Sequence, residues 1–136
     1  IESGEAAARM RAIVEAQGGD PRVVDEPDRL PRAPEVVPVR ATKSGFVHRI
    51  DALELGLTGV ALGAGRTRAD QDVDPAVGIV LEKVRGDRVS EGDVLAELHV
   101  RDRAAAQAFV ARVAAAFELK PKAPKVEALV LDVIRR

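Results

Sequence analysis

Between Lys43 and His99 the chain is punctuated by glycine, aspartate and proline at short intervals, which restricts it to short strands and helices joined by tight turns. The stretch opens with Lys43-Ser44-Gly45-Phe46-Val47 and runs to Ile50-Asp51. Leu62-Gly63-Ala64-Gly65-Arg66 and Asp74-Pro75-Ala76-Val77-Gly78-Ile79 follow. Gly86-Asp87-Arg88-Val89 and Glu91-Gly92-Asp93-Val94-Leu95 close it. In such turns glycine accepts positive φ and aspartate bonds to nearby backbone amides, while the valines and leucines between them close a small sandwich.

Upstream, Ser3 is a suitable N-cap for a helix to about Gln17, with Ala6, Met10, Ile13 and Val14 on one apolar stripe. Gly18-Gly19 stops that helix, and Asp20-Pro21 restarts a short turn. Residues 26–38 hold Pro27, Pro31, Pro34 and Pro38 and read as an extended connection. Strands are expected over Val36–Thr42, Gly45–Ile50, Val77–Arg85 and Val94–Val100, with a last one over Val126–Ile134. Asp51 caps an expected helix from Ala52 to Leu62, with Leu53, Leu57, Val60 and Ala61 turned inward. Asp102 caps another to about Phe117, striped by Phe109, Val113 and Phe117. Lys120–Lys125, with Pro121 and Pro124, reads as a linker. The class is therefore α+β.

Composition narrows the chemistry. A net charge of −1 offers no electrostatic attraction to nucleic acid or an anionic membrane, and 2% aromatics leave little for bases to stack on. The absence of cysteine excludes disulfides and thiolate chemistry and fits an intracellular, cytoplasmic protein. No apolar run approaches the roughly 18 residues of a membrane span. The start at Ile1 rather than Met suggests a processed or truncated product.

Candidate chemistry is sparse. The loop carrying Gly63, Gly65, Arg66 and Arg68 follows a helix rather than a strand and lacks the lysine and hydroxyl of a phosphate-binding P-loop. Its amides and guanidiniums are suited to an anion, and the alternative is a helix end followed by a surface loop that contacts a neighbouring domain. Asp70, Asp72 and Asp74 have a calcium-loop spacing, but Pro75 and Leu81 occupy the positions that need glycine and glutamate. His48 and His99 lack a second ligand at metal spacing, and no nucleophile elbow surrounds Ser3, Ser44 or Ser90. No metal site is expected.

The ordered set of motifs from Lys43 to His99 resembles the C-terminal domain of the thymidine and pyrimidine-nucleoside phosphorylases. Glu15-Ala16-Gln17-Gly18-Gly19-Asp20-Pro21 resembles the last helix of that family's catalytic domain. The resemblance implies a small mixed β-sheet with an α/β-hammerhead, barrel-sandwich-like motif and two packed helices, preceded by one helix left over from the catalytic domain. It divides the chain into residues 1–25, the end of the catalytic domain, a linker at 26–33, and the C-terminal domain at 34–136. It also implies a pentosyltransferase of nucleoside salvage, with inorganic phosphate as co-substrate and no cofactor. The partners implied are the catalytic and helical domains of the same enzyme, homodimerised through the helical domain. The family's catalytic hallmark, approximately S-G-R-G-L…T-G-G-T-x-D-x-L-E, does not occur here, so no catalytic residue carries over and this piece is expected to be structural. In the family the glycine-rich loop lies towards the catalytic domain, which favours a domain contact for Gly63, Gly65, Arg66 and Arg68.

The Gly-Asp rhythm also resembles biotinyl and lipoyl carrier domains. Lys43, Lys83, Lys120, Lys122 and Lys125 lack the flanking residues that a carrier lysine needs. A free-standing hammerhead module acting in binding or as a carrier is the alternative reading.

Overall fold

In the computed structural model, residues 1–125, 130 and 132–134 are described. The chain forms two compact units, Ile1–Arg32 and Ala33–Arg136.

The first unit is helix α1, Glu5–Ala16, followed by 3₁₀ turns at Pro21–Val24 and Pro27–Arg29. Gly4, not Ser3, is the N-cap: its φ of +78° lies in the left-handed region that favours glycine, and its carbonyl accepts from Ala8 N–H at 3.0 Å. The Ser3 hydroxyl still accepts from Glu5 N–H at 3.4 Å. At the other end Gly18 N–H donates to the Glu15 carbonyl and Gly19 N–H to the Val14 carbonyl, both at 2.9 Å, which is the paired bonding of a Schellman stop. Asp20 accepts from Arg22 N–H at 3.0 Å and caps the Pro21 turn. Arg11 reaches Asp25 through Nε at 2.8 Å, tying α1 to the turn after it. Met10 and Ile13 of the apolar stripe remain 52% and 45% exposed.

Among its described residues the second unit holds two three-stranded sheets, both antiparallel throughout, in place of the expected single mixed sheet. One has β1 (Glu35–Arg40), β5 (Val94–Val100) and β3 (Gly78–Leu81) in that order; the other has β4 (Arg88–Val89), β2 (Gly45–Ile50) and β6 (Phe117–Lys120). Helices α2 (Ala52–Gly59) and α3 (Arg103–Ala115) belong to the same unit. Val37, Val39, Val47, Val89, Leu95, Leu98 and Val113 form the centre of the core. Pro38 sits inside β1 without breaking the sheet, because β1 is an edge strand and its outer side needs no N–H.

Two turns close the sheets in the same way. Gly86 N–H donates to the Val47 carbonyl at 2.8 Å, and Val47 N–H donates to the Asp87 carbonyl at 2.9 Å. Gly92 and Asp93 repeat this with Ala41, both bonds at 2.8 Å. In each turn the aspartate also accepts from the amide three residues earlier, Val84 at 2.8 Å and Ser90 at 2.9 Å. Positive φ at Gly86 (+102°) and Gly92 (+88°) makes both turns possible.

Other elements differ from expectation for identifiable reasons. The strand from Val77 ends at Leu81, where the N–H groups of Glu82 and Lys83 converge on one carbonyl, that of Leu95. The helix capped by Asp102 stops at Ala115; Phe117 instead opens β6 and pairs with Ile50. Asp51 caps α2 as expected, accepting from Glu54 N–H at 3.1 Å. The face of α2 is rotated, however: Leu55, Thr58 and Leu62 turn inward, while Leu53 and Leu57 are 73% and 51% exposed. Glu54 of α2 pairs with Arg112 of α3. The strand expected over Val126–Ile134 lies largely outside the described residues.

Candidate functional site

After α2 the chain makes a widened turn over Val60–Ala64 and leaves the helix at Gly63, whose φ is +104°. Gly65 is required for a different reason: a Cβ there would lie 2.8 Å from Val60 Cγ2. The two glycines launch a loop that returns at Asp74, where Asp74 N–H donates to the Gly63 carbonyl at 3.0 Å. Its ends are thus joined, the arrangement of a compact surface loop held by its own groups. Near the tip, Thr67 donates through both N–H and hydroxyl to Gln71 Oε1, each at 3.1 Å.

A clamp at the base fixes the loop to the sheet. Asp74 Oδ1 accepts from Ala76 N–H at 3.0 Å, and Arg101, just after β5, donates through Nε to Oδ2 at 2.7 Å and through Nη2 to Oδ1 at 3.0 Å. The Arg101 hydrogen bonds, with that of Ala76, lower the Asp74 carboxyl to about 2. No spacing rule pairs residues this far apart, so the sequence carried no signal for the clamp.

Of the four residues singled out, Gly63 and Gly65 shape the backbone, while Arg66 and Arg68 stand exposed. Arg68 is matched by Asp70 through bonds of 3.1 and 2.9 Å. Arg66 donates to the Ala69 carbonyl at 3.4 Å. The loop therefore presents backbone donors and the Arg66 and Arg68 guanidiniums, which suit a contact or an anion, beside the carboxylates of Asp70, Asp72 and Asp74.

The remaining candidates are not gathered into a site. Asp70 and Asp74 are each held by an arginine, and among the described residues no group of three histidines or carboxylates is placed to hold a metal ion. His48 lies where the β2–β6 register slips and His99 on β5 of the other sheet, 3.8 Å from Glu97. Ser44 accepts from Glu91 N–H at 2.9 Å, and Lys120 pairs with Glu118 at 2.9 Å. A cleft of about 430 Å³ between α3 and β6 is floored by Leu95, Ala114, Phe117 and Leu119, with Arg40 and Lys43 at its rim. Its walls come from separated segments, so it was not visible in the sequence. Among the described residues no helix is long and apolar enough to cross a membrane.

The model of the pyrimidine nucleoside phosphorylase C-terminal domain matches residues 46–120. Pyrimidine-nucleoside phosphorylases of Staphylococcus aureus strains bovine RF122 and USA300 are each 42% identical over 99 residues, covering 73% of this chain and 23% of theirs. The chain thus spans about a quarter of the length of these curated relatives.

Proposed function

Because the chain belongs to the pyrimidine nucleoside phosphorylase family, as its C-terminal domain, we propose that it is the C-terminal part of an enzyme that phosphorolyses pyrimidine nucleosides. In that reaction phosphate attacks C1′ of thymidine or uridine and the glycosidic C–N bond breaks, its electron pair leaving with the base. Free pyrimidine and the (deoxy)ribose 1-phosphate result. Inorganic phosphate is the co-substrate, and no cofactor takes part. The reaction needs cationic and N–H donors around phosphate and charge stabilisation on the departing base. Both come from the catalytic and helical parts of the enzyme, a cytoplasmic homodimer of nucleoside salvage.

The identity of 42% over 99 residues carries this reading. In it the present domain is a scaffold without catalytic residues of its own. The twin Gly-Asp turns support reading the two sheets as a hammerhead related to barrel-sandwich folds. The loop from Gly63 to Asp74 contacts the catalytic part: its clamped base and exposed Arg66 and Arg68 give a preformed donor surface.

The test is thymidine and uridine phosphorolysis followed by ultraviolet absorbance, with intact mass measured on the same sample. Turnover is expected from the full-length enzyme and none from the 136-residue chain. Turnover by the clean chain would place the active site within it, and a full-length enzyme inert towards both nucleosides would overturn the assignment.

A further inference from the structure

Helix α2 and the turn after it are apolar on nearly every side: Leu53, Leu55, Leu57, Val60 and Leu62 interrupt little but Glu54 and Thr58. A helix apolar all round is normally buried all round. Here Leu55, Thr58 and Leu62 meet the core, whereas Leu53 and Leu57, one turn apart, are 73% and 51% exposed. The same helix contains Gly56 and Gly59, and a Cβ at either would meet nothing within 4 Å. Glycine weakens a helix interior relative to alanine, and nothing packed against these positions requires it.

We propose that the outer face of α2, formed by Leu53, Gly56 and Leu57, is where the larger, preceding part of the same phosphorylase polypeptide docks, approaching the helix backbone closely over Gly56. The proposal rests on the reading that this domain belongs to a longer phosphorylase. The relatives match over only 23% of their length, and the matched family domain is C-terminal, so about three quarters of such a polypeptide remains to supply the cover. The size of the face selects the occupant. Two leucines and their small neighbours offer far less than the ~1,200 Å² that a stable interface between separate chains buries. A face tethered to its partner in one polypeptide meets it at roughly millimolar effective concentration, so a small patch suffices.

Hydroxyl-radical footprinting with mass spectrometry tests this on the full-length enzyme, with the 136-residue chain as the uncovered reference. Leu53 and Leu57 should label roughly tenfold more slowly in the full-length enzyme, in proportion to their lost exposure, and dilution should not change this. Equal, fast labelling in both proteins overturns the proposal. So does slow labelling in the 136-residue chain alone, which would assign the cover to its own residues, or protection that fades on dilution, which would assign it to a second copy. Turnover is scored separately: protected leucines in an enzyme inert towards thymidine and uridine would sink the functional reading and leave the docking face standing.

Discussion

Three glycines in one small domain should respond to the same substitution with different signs and sizes. Gly45 opens β2 beside Lys120 of β6, and a Cβ there would lie 2.7 Å from the Lys120 carbonyl oxygen and 3.2 Å from its carbon. Both are backbone atoms, so relief requires β2 and β6 to part beside the Phe46–Lys120 pair. Overpacking and a weakened ladder bond together give Gly45→Ala an expected cost of about 2–4 kcal/mol. Gly86 has open space around it but a φ of +102°, so Gly86→Ala meets only the left-handed penalty of about 1–2 kcal/mol. Gly56 has open space and no positive φ, so in the 136-residue chain Gly56→Ala should stabilise by about 0.5–1 kcal/mol. The assay is urea unfolding followed by far-ultraviolet circular dichroism, since the chain has no tryptophan. With a slope of about 1–3 kcal/mol/M, Gly45→Ala should lower the midpoint by about 1–2 M, and Gly56→Ala should raise it by a few tenths. A Gly45→Ala variant within about 0.5 kcal/mol of the parent would refute the close approach of β6, and a destabilised Gly56→Ala would refute the open helix face.

Thr58 is fully buried, and its hydroxyl has no hydrogen-bond partner among the described residues, so Thr58→Val should gain about 1 kcal/mol; a loss on thermal melting would mean that the hydroxyl is satisfied. Leu98, at 0% exposure on the central strand, should lose about 3–5 kcal/mol on Leu98→Ala, and a change under about 1 kcal/mol would place it outside the core. Asp74, held at about 2 by Arg101 and the Ala76 amide against roughly 3.9 for an unfolded aspartate, contributes stability above about pH 4 that disappears as pH falls through 2. Asp74→Asn should therefore be less stable than the parent at neutral pH, and the gap should close between pH 4 and 2. Comparing the two proteins isolates Asp74 from Asp20, Asp25 and Glu118, whose carboxyls are also held low by cationic partners; parallel pH curves would remove the clamp from the account.

What the sequence made legible was local. Asp51 and Asp102 cap the helices they precede, Gly18-Gly19 ends α1, and β2 and β5 span the residues that their apolar runs marked out. The family was legible for a related reason, since its motifs are the turns themselves. The face of α2 was not, because a helix with leucines at 53, 55 and 57 shows no preferred side; the choice is made by the sheets it packs on and by Arg112 meeting Glu54. β6 was hidden because Phe117 continues the Phe109–Val113 stripe, and only its pairing with Ile50 marks it as strand. The loop's glycines were visible as a motif, while its hold on Arg101 joins residues with no periodic relation.

The loop between Gly63 and Asp74 behaves as an exchangeable cassette. Its two ends are already bonded to each other at 3.0 Å and pinned to the end of β5, so closing the loop does not draw on what the tip contains. Doubling the length of a loop with fixed ends costs only about 0.6 kcal/mol of closure entropy. Related chains can therefore lengthen, shorten or recharge this tip to suit a different neighbour while the sheets beneath it stay the same, so divergence can be concentrated at the tip instead of spread through the core.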